Sequence, residues 1–173
     1  DRLCFELFPT NTYHHNSGGD PEAIPDLSYE QLLSFYRGHY HPSNAILLTF
    51  GNLPVSQHHD VFEREALSRF ERSPEQIEVV PETPFDSPKR AHHHYAIEDT
   101  DTHNKTHLIM GWKLGESADL DAMLEAQLLS SVLMENSASP LMQWLETNDL
   151  GSAPSPLCGL EDSMREMVLC CGI

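Results

Sequence analysis

Residues 45 to 50 of this 173-residue chain, Ala-Ile-Leu-Leu-Thr-Phe, are the run that most restricts its fold. Thr49 is the one polar side chain among them, so the run reads as a strand covered on both faces rather than one that alternates apolar and polar. What precedes it fixes how that strand is entered. Ser28 followed by Gln31 forms a capping box, and Tyr29, Leu32, Leu33, Tyr36 and Tyr40 fall on one face of a helix running from Ser28 to about Tyr40. His41 stands before a proline and is steered out of the helical region, while Pro42 and Asn44 supply turn chemistry. Upstream, His14-His15-Asn16-Ser17-Gly18-Gly19-Asp20-Pro21 is a polar loop. Its glycine pair permits backbone angles closed to other residues, and Pro21 and Pro25 oppose helix until Asp26. Residues 13–51 therefore read as loop, helix, tight turn and buried strand.

The ordered strings Asn16-Ser17-Gly18-Gly19-Asp20-Pro21-Glu22, Ile24-Pro25-Asp26-Leu27 and Tyr40-His41-Pro42-Ser43-Asn44-Ala45, followed by Phe50-Gly51, resemble the pitrilysin or insulinase zinc metallopeptidases, and most closely their presequence-protease branch. A weaker likeness continues through Phe70. The resemblance implies an α+β fold made of parts of two pitrilysin-type sandwich domains, each a sheet packed against helices. It assigns Asn16, Ser17, Gly18, Gly19, Asp20, Pro21, His41, Pro42 and Asn44 a structural signature role, with no catalytic or metal-binding residue among them. Position 52 is Asn where the family pattern has Asp. The inverted zinc motif His-x-x-Glu-His is absent from these residues, and in the family it lies upstream of the matched stretch. The resemblance thus implies an internal piece of a larger peptidase: zinc and unfolded peptide substrates belong to the parent, no cofactor is expected in this chain, and whether this chain is itself an enzyme stays open. The alternatives are a non-catalytic structural or interaction subunit of the same fold, or an acidic peptide-binding module.

Val55 to Phe70 carries Phe62, Ala66 and Phe70 on one stripe and reads as a helix. Residues 73–90, with Pro74, Pro81, Pro84 and Pro88, have linker composition and divide a first unit (1–72) from a second (91–173). In the second, His92–Glu98 and His107–Leu114 read as a β pair. Asp119–Glu135 reads as a largely buried helix with Leu120, Leu124, Leu128 and Val132 in register. Ser139 and Pro140 occupy N-cap and first-turn positions of a short helix. Pro154 and Pro156 mark an edge strand near Leu157–Leu160, and Met167–Cys171 is a more apolar strand. The opening residues Leu3, Phe5, Leu7 and Phe8 fit an extended or a helical segment. By the resemblance, Asp119–Glu135 stands where the zinc helix stood in the preceding repeat, yet it offers Asp121, Glu125 and Glu135 and no histidine.

Ten basic residues against 27 acidic give a net charge of −17, which opposes binding to nucleic acid or anionic membrane and allows attraction to basic peptides. The apolar fraction of 39% is that of a globular protein, and the opening residues lack the pattern of a secretion signal. The expected location is intracellular, in cytoplasm or an organelle matrix. Cys4, Cys158, Cys170 and Cys171 form no Cys-x-x-Cys pair and read as free thiols. His92-His93-His94 looks like a metal tract, but strand neighbours alternate faces and three consecutive rings do not converge on one ion. His59 and Glu63 have the i, i+4 spacing that can hold a divalent ion, on what reads as a solvated helix face. His39 and His41 flank a helix end, where a protonated ring favours the dipole and a neutral one can cap a carbonyl. Ser17 lacks the strand and elbow context of a nucleophile.

Overall fold

The computed structural model describes residues 2–74, 77–98 and 100–173, so the part of the linker expectation at Glu75 and Gln76 lies outside it. The described chain is α+β and forms two compact units. They are not successive halves. The residues up to Ser17 belong with Val79–Ile173, and Gly18–Glu78 is the other unit.

The larger unit is built on a three-stranded antiparallel sheet of β1 (Ile109–Glu116), β2 (Gly159–Glu161) and β3 (Glu166–Gly172) in the order β1-β3-β2. β3 is central because its sequence, Glu-Met-Val-Leu-Cys-Cys-Gly, can be covered on both faces, and every residue of it is buried. Its side chains alternate between two clusters. Val168 and Cys170 meet Leu7 and Phe8 from helix α1 (Arg2–Leu7) and its exit, whereas Leu169 and Cys171 meet Met134 and Leu145 from the helices α4 (Leu120–Met134) and α5 (Pro140–Thr147). Asp119 caps α4 by accepting from the amides of Asp121 and Ala122 at 3.1 and 3.2 Å, and Pro140 opens α5 at its first turn. β1 pairs with β3 from Ile109 opposite Gly172 to Lys113 opposite Val168, with an irregularity before Glu116 meets Glu166. A side chain at Gly172 would place its Cβ 2.2 Å from the Leu108 carbonyl, so this closure of the sheet requires glycine.

The smaller unit contains helices α2 (Tyr29–His39) and α3 (Val55–Glu65) joined through a 3-10 turn at Pro42–Asn44. The capping box of α2 is complete: Ser28 Oγ accepts from the Gln31 amide at 3.2 Å and Gln31 Oε1 accepts from the Ser28 amide at 2.7 Å. α3 stops at Glu65, short of the expected Phe70, and a 3-10 turn over Leu67–Arg69 takes up part of the difference.

Four expectations are corrected. Ala45–Phe50 is not a strand and not buried: Ile46, Leu48 and Phe50 are almost fully exposed, because no strand among the described residues of this unit offers the ladder hydrogen bonds a covered strand needs. His92–Glu98 is no strand either. β1 finds its partner in β3 instead, whose continuous apolar run fits a central position better than a histidine-rich edge does. The Leu120, Leu124, Leu128 and Val132 stripe of α4 is exposed, since the sheet is met by Leu133 and Met134 on the other side of the helix. Finally, the part of the 73–90 stretch beyond Glu78 is no free linker, for Val79, Val80, Glu82 and Lys89 all bond within the larger unit.

Candidate functional site

Of the signature residues, Gly18, Gly19, Asp20 and Pro21 lie at one turn of the smaller unit and His41, Pro42 and Asn44 at another, whereas Asn16 and Ser17 belong to the larger unit. Gly19 adopts φ +81°, and a Cβ there would lie 3.1 Å from the Ile24 side chain, which accounts for one glycine of the pair. Asp20 then organises the turn that follows: its carboxylate accepts from the Glu22 amide at 2.9 Å and its carbonyl from the amides of Ala23 and Ile24 at 3.0 and 2.9 Å. At the second turn, His41 Nδ1 accepts from the Ser43 amide at 3.1 Å, which places the proton of the neutral ring on Nε2. Asn44 donates through Nδ2 to the His39 carbonyl at 3.1 Å, closing the end of α2. His39 Nδ1 lies 3.0 Å from the Phe35 carbonyl and its ring stacks on Phe35, so both histidines at this helix end serve the backbone.

His41, Pro42 and Ser43 line an open depression of about 520 Å³ together with Leu67, Phe70 and Arg72. The Phe70 ring meets His41 edge-on at 5.2 Å, and Ser43 Oγ accepts from the Ser73 amide at 2.9 Å. His41, Glu71 and Arg72 are the ionisable side chains that line this depression. It does not assemble a nucleophile with a base, because the Ser43 hydroxyl faces the Ser73 amide and His41 contacts Ser43 through its backbone.

Sequence reasoning missed the most ordered polar constellation, which lies in the larger unit. The carboxylate of Glu82, 3% exposed, accepts from the Thr10 amide at 2.8 Å, the Thr10 hydroxyl at 2.7 Å and the Thr83 amide at 2.9 Å. The Glu82 amide donates to Glu166 Oε2 at 2.6 Å. Burial pushes the Glu82 carboxyl up, but the Thr10 and Thr83 donors and the Lys113 charge together outweigh it and hold the acid below its ordinary value. Arg165 donates to the Val79 carbonyl at 2.5 Å and reaches Glu116 at 3.4 Å, while its buried Nε has no partner among the described residues. The string Pro81-Glu82-Thr83-Pro84 gave no hint of this beyond its irregular backbone. A second, more exposed group joins Glu6 to Lys89 at 2.8 Å and His93 at 2.7 Å; hydrogen bonds from Lys89 and then His93 lower the Glu6 carboxyl. His93 is thus an ion-pair partner of Glu6, and the three histidines 92–94 are not brought together on one centre. His58 stacks on Phe62 of α3.

No group of three or more His, Cys, Asp or Glu among the described residues is placed to hold a metal ion, and α4 presents Asp121 and Glu125 without a histidine nitrogen. The donor set does not fit a peptidase zinc. Residues 26–157 match the family model of the peptidase M16 inactive domain. The chain belongs to the peptidase M16 family. Its relatives include the mitochondrial presequence protease of Danio rerio, 38% identical over 170 residues, 97% of this chain and 17% of that protein. The mitochondrial presequence protease of Mus musculus is 36% identical over 171 residues, again 97% of this chain and 16% of that protein. A protein named HypA from Clostridium perfringens is 30% identical over 150 residues, 86% of this chain and 15% of that protein. The chain therefore spans about a sixth of the length of the M16 relatives it matches, and within that span it aligns with the domain described as inactive.

Proposed function

We propose that this M16 chain serves a zinc-dependent metalloendopeptidase that hydrolyses unfolded peptides, and that its own residues contribute structure and surface rather than the reacting groups. The observation that carries the reading is the match of residues 26–157 to the inactive domain of this peptidase family. The names of the relatives, presequence proteases of mitochondria, support peptide substrates and an organelle matrix as the place of action. The charge of −17 supports attraction to basic, unfolded peptides by long-range steering. Zinc, in this reading, is held by residues of the parent polypeptide other than 1–173, together with the carboxylate that activates water; no step is assigned to this chain. Its partners are the remaining domains of that polypeptide.

The experiment is to express the full-length parent and follow cleavage of an unstructured fluorogenic peptide before and after dialysis against a chelator, with metal content measured in parallel. Cleavage that is lost on chelation and restored by zinc is expected. A full-length protein that binds no zinc and cleaves no peptide would overturn this reading in favour of a non-catalytic subunit of the same fold.

A further inference from the structure

We propose that Cys158 and Cys171 are a cross-strand dithiol that closes reversibly to a disulfide, an oxidation site that ties the edge strand β2 to the central strand β3. β2 and β3 pair antiparallel with Leu160 opposite Leu169 and Gly159 opposite Cys170. One step further along this register sets Cys158 opposite Cys171. Gly159, at φ +133°, turns the chain at that step, and the sulfur of Cys158 takes over the bonding there. Its Sγ accepts from the Gly172 amide at 3.3 Å and donates to the Gly172 carbonyl at 3.4 Å, which places it against the backbone next to Cys171. Both thiols also share a face: Cys171 belongs to the cluster of Met134, Leu145 and Leu169, and Cys158 packs against that cluster. Directly opposed residues of an antiparallel pair have Cα atoms about 4.5–5.5 Å apart, within the range of about 4.4–6.8 Å that a disulfide bridges. Cys170 is the neighbour of Cys171 in sequence but lies in the opposite cluster, with Leu7, Phe8 and Val168, where Cys4 packs against it. The alternation of β3 therefore sorts the four thiols into two face-specific pairs, of which Cys158, one residue before β2, and Cys171 on β3 are the pair set across neighbouring chain segments.

The chemistry needs an oxidant, and a low-molecular-weight disulfide such as glutathione disulfide is the class that fits. Cys158 is the entry point because it is half-buried, whereas Cys171 is 2% exposed and its thiol is pushed up first by burial and then by Cys158 beside it. Cys158 loses its proton to solvent and attacks the small disulfide, forming a mixed disulfide and releasing one glutathione thiolate. Cys171 then loses its proton and attacks the Cys158 sulfur, which releases the second glutathione thiolate. Two protein thiols are oxidised by two electrons, and one small disulfide is reduced to two thiols.

The test is to treat the protein with glutathione disulfide, block remaining thiols with iodoacetamide, digest with trypsin and map the peptides without reduction. Cleavage at Lys113 and Arg165 puts Cys158 in the peptide 114–165 and both Cys170 and Cys171 in the peptide that begins at Glu166. The expected product is these two peptides joined, two hydrogens lighter than their sum, and separated by dithiothreitol. C170S keeps the link and C171S abolishes it, leaving the mixed disulfide at Cys158; near-equal circular dichroism of both variants shows that the sheet is intact. Should either variant fail to fold, fragmentation of the joined wild-type peptide assigns the bridging sulfur directly. A link through Cys170, a Cys4–Cys170 bridge that forms first, or wild-type protein that stops at the glutathione adduct of Cys158 would each overturn the proposal.

Discussion

Replacing Glu82 with glutamine removes one charge from the most enclosed carboxylate of the larger unit while keeping its shape. In the native protein Oε2 accepts from the Thr10 amide, and Oε1 accepts from the Thr10 hydroxyl and the Thr83 amide. A carboxamide has one acceptor oxygen, so whichever way it is turned its NH2 faces at least one of these donors. The charge-assisted character of the surviving bonds is also lost. A buried donor left without a partner costs about 1–3 kcal/mol, and a hydrogen bond to a charged group is worth about 1.5–3 kcal/mol against about 1 for a neutral one. The expected loss is thus about 2–4 kcal/mol, a large part of the stability of a domain this size. Urea unfolding of the two proteins at pH 7 measures it. The sign with pH follows from the lowered acid: because the Glu82 carboxyl titrates lower in the folded state than in the unfolded chain, its contribution is present above the ordinary carboxylate range and fades as pH falls through the folded value. Wild type and E82Q should therefore converge in acid. A difference at neutral pH below about 0.5 kcal/mol, the range of an ordinary surface substitution, or one that stays constant into acid, would refute the argument.

Gly19→Val should destabilise the smaller unit by about 1–2 kcal/mol, because a β-branched residue at φ +81° is strained and its Cβ would press on Ile24; thermal unfolding followed by circular dichroism checks it, and an unchanged midpoint refutes it. Brief trypsin treatment should cut after the exposed Arg72 before it cuts after Lys89, whose ammonium is held by Glu6 and whose segment bonds to the larger unit. N-terminal sequencing of the first fragments decides the order, and early cleavage at Lys89 would show that this segment is not held.

The parts of the fold legible in the sequence are those in which a local rule has a local partner. Ser28 and Gln31 find each other three residues apart, Asp119 caps the helix it precedes, and Pro140 starts the helix it opens. β3 was legible as an apolar strand because its composition tolerates no exposed face. Ala45–Phe50 has the same composition and a different outcome. Apolar content states what side chains avoid, whereas a strand exists only where another supplies its hydrogen bonds, and that supply is a long-range fact. The same limit hid the Glu82 constellation. Thr10, Glu82 and Glu166 are separated by 72 and 84 residues, and a glutamate between two prolines reads as surface until the chain is folded.

That long-range character also bears on the match of residues 26–157 to the peptidase M16 inactive domain. Zinc binding in such a family needs nitrogen and carboxylate donors converging from a helix on one point; α4 carries acids at 121 and 125 but points apolar residues, Leu133 and Met134, into the cluster against β3. Its anchoring combines this packing with hydrogen bonds such as that from Gln127 to Asp162 at 3.3 Å, and none of these contacts uses a histidine. The buried acids of this unit, Glu82 and Glu166, are engaged with backbone amides and a threonine. Glu82 accepts from Thr10 twice and from Thr83, and Glu166 accepts from the Glu82 amide, so both acids stabilise a scaffold, and a carboxylate held by three fixed donors, as Glu82 is, is poorly suited to exchange protons with a substrate. The capped helices, the turns at Asp20 and His41 and the sheet around β3 are each maintained by hydrogen bonds and packing among the described residues.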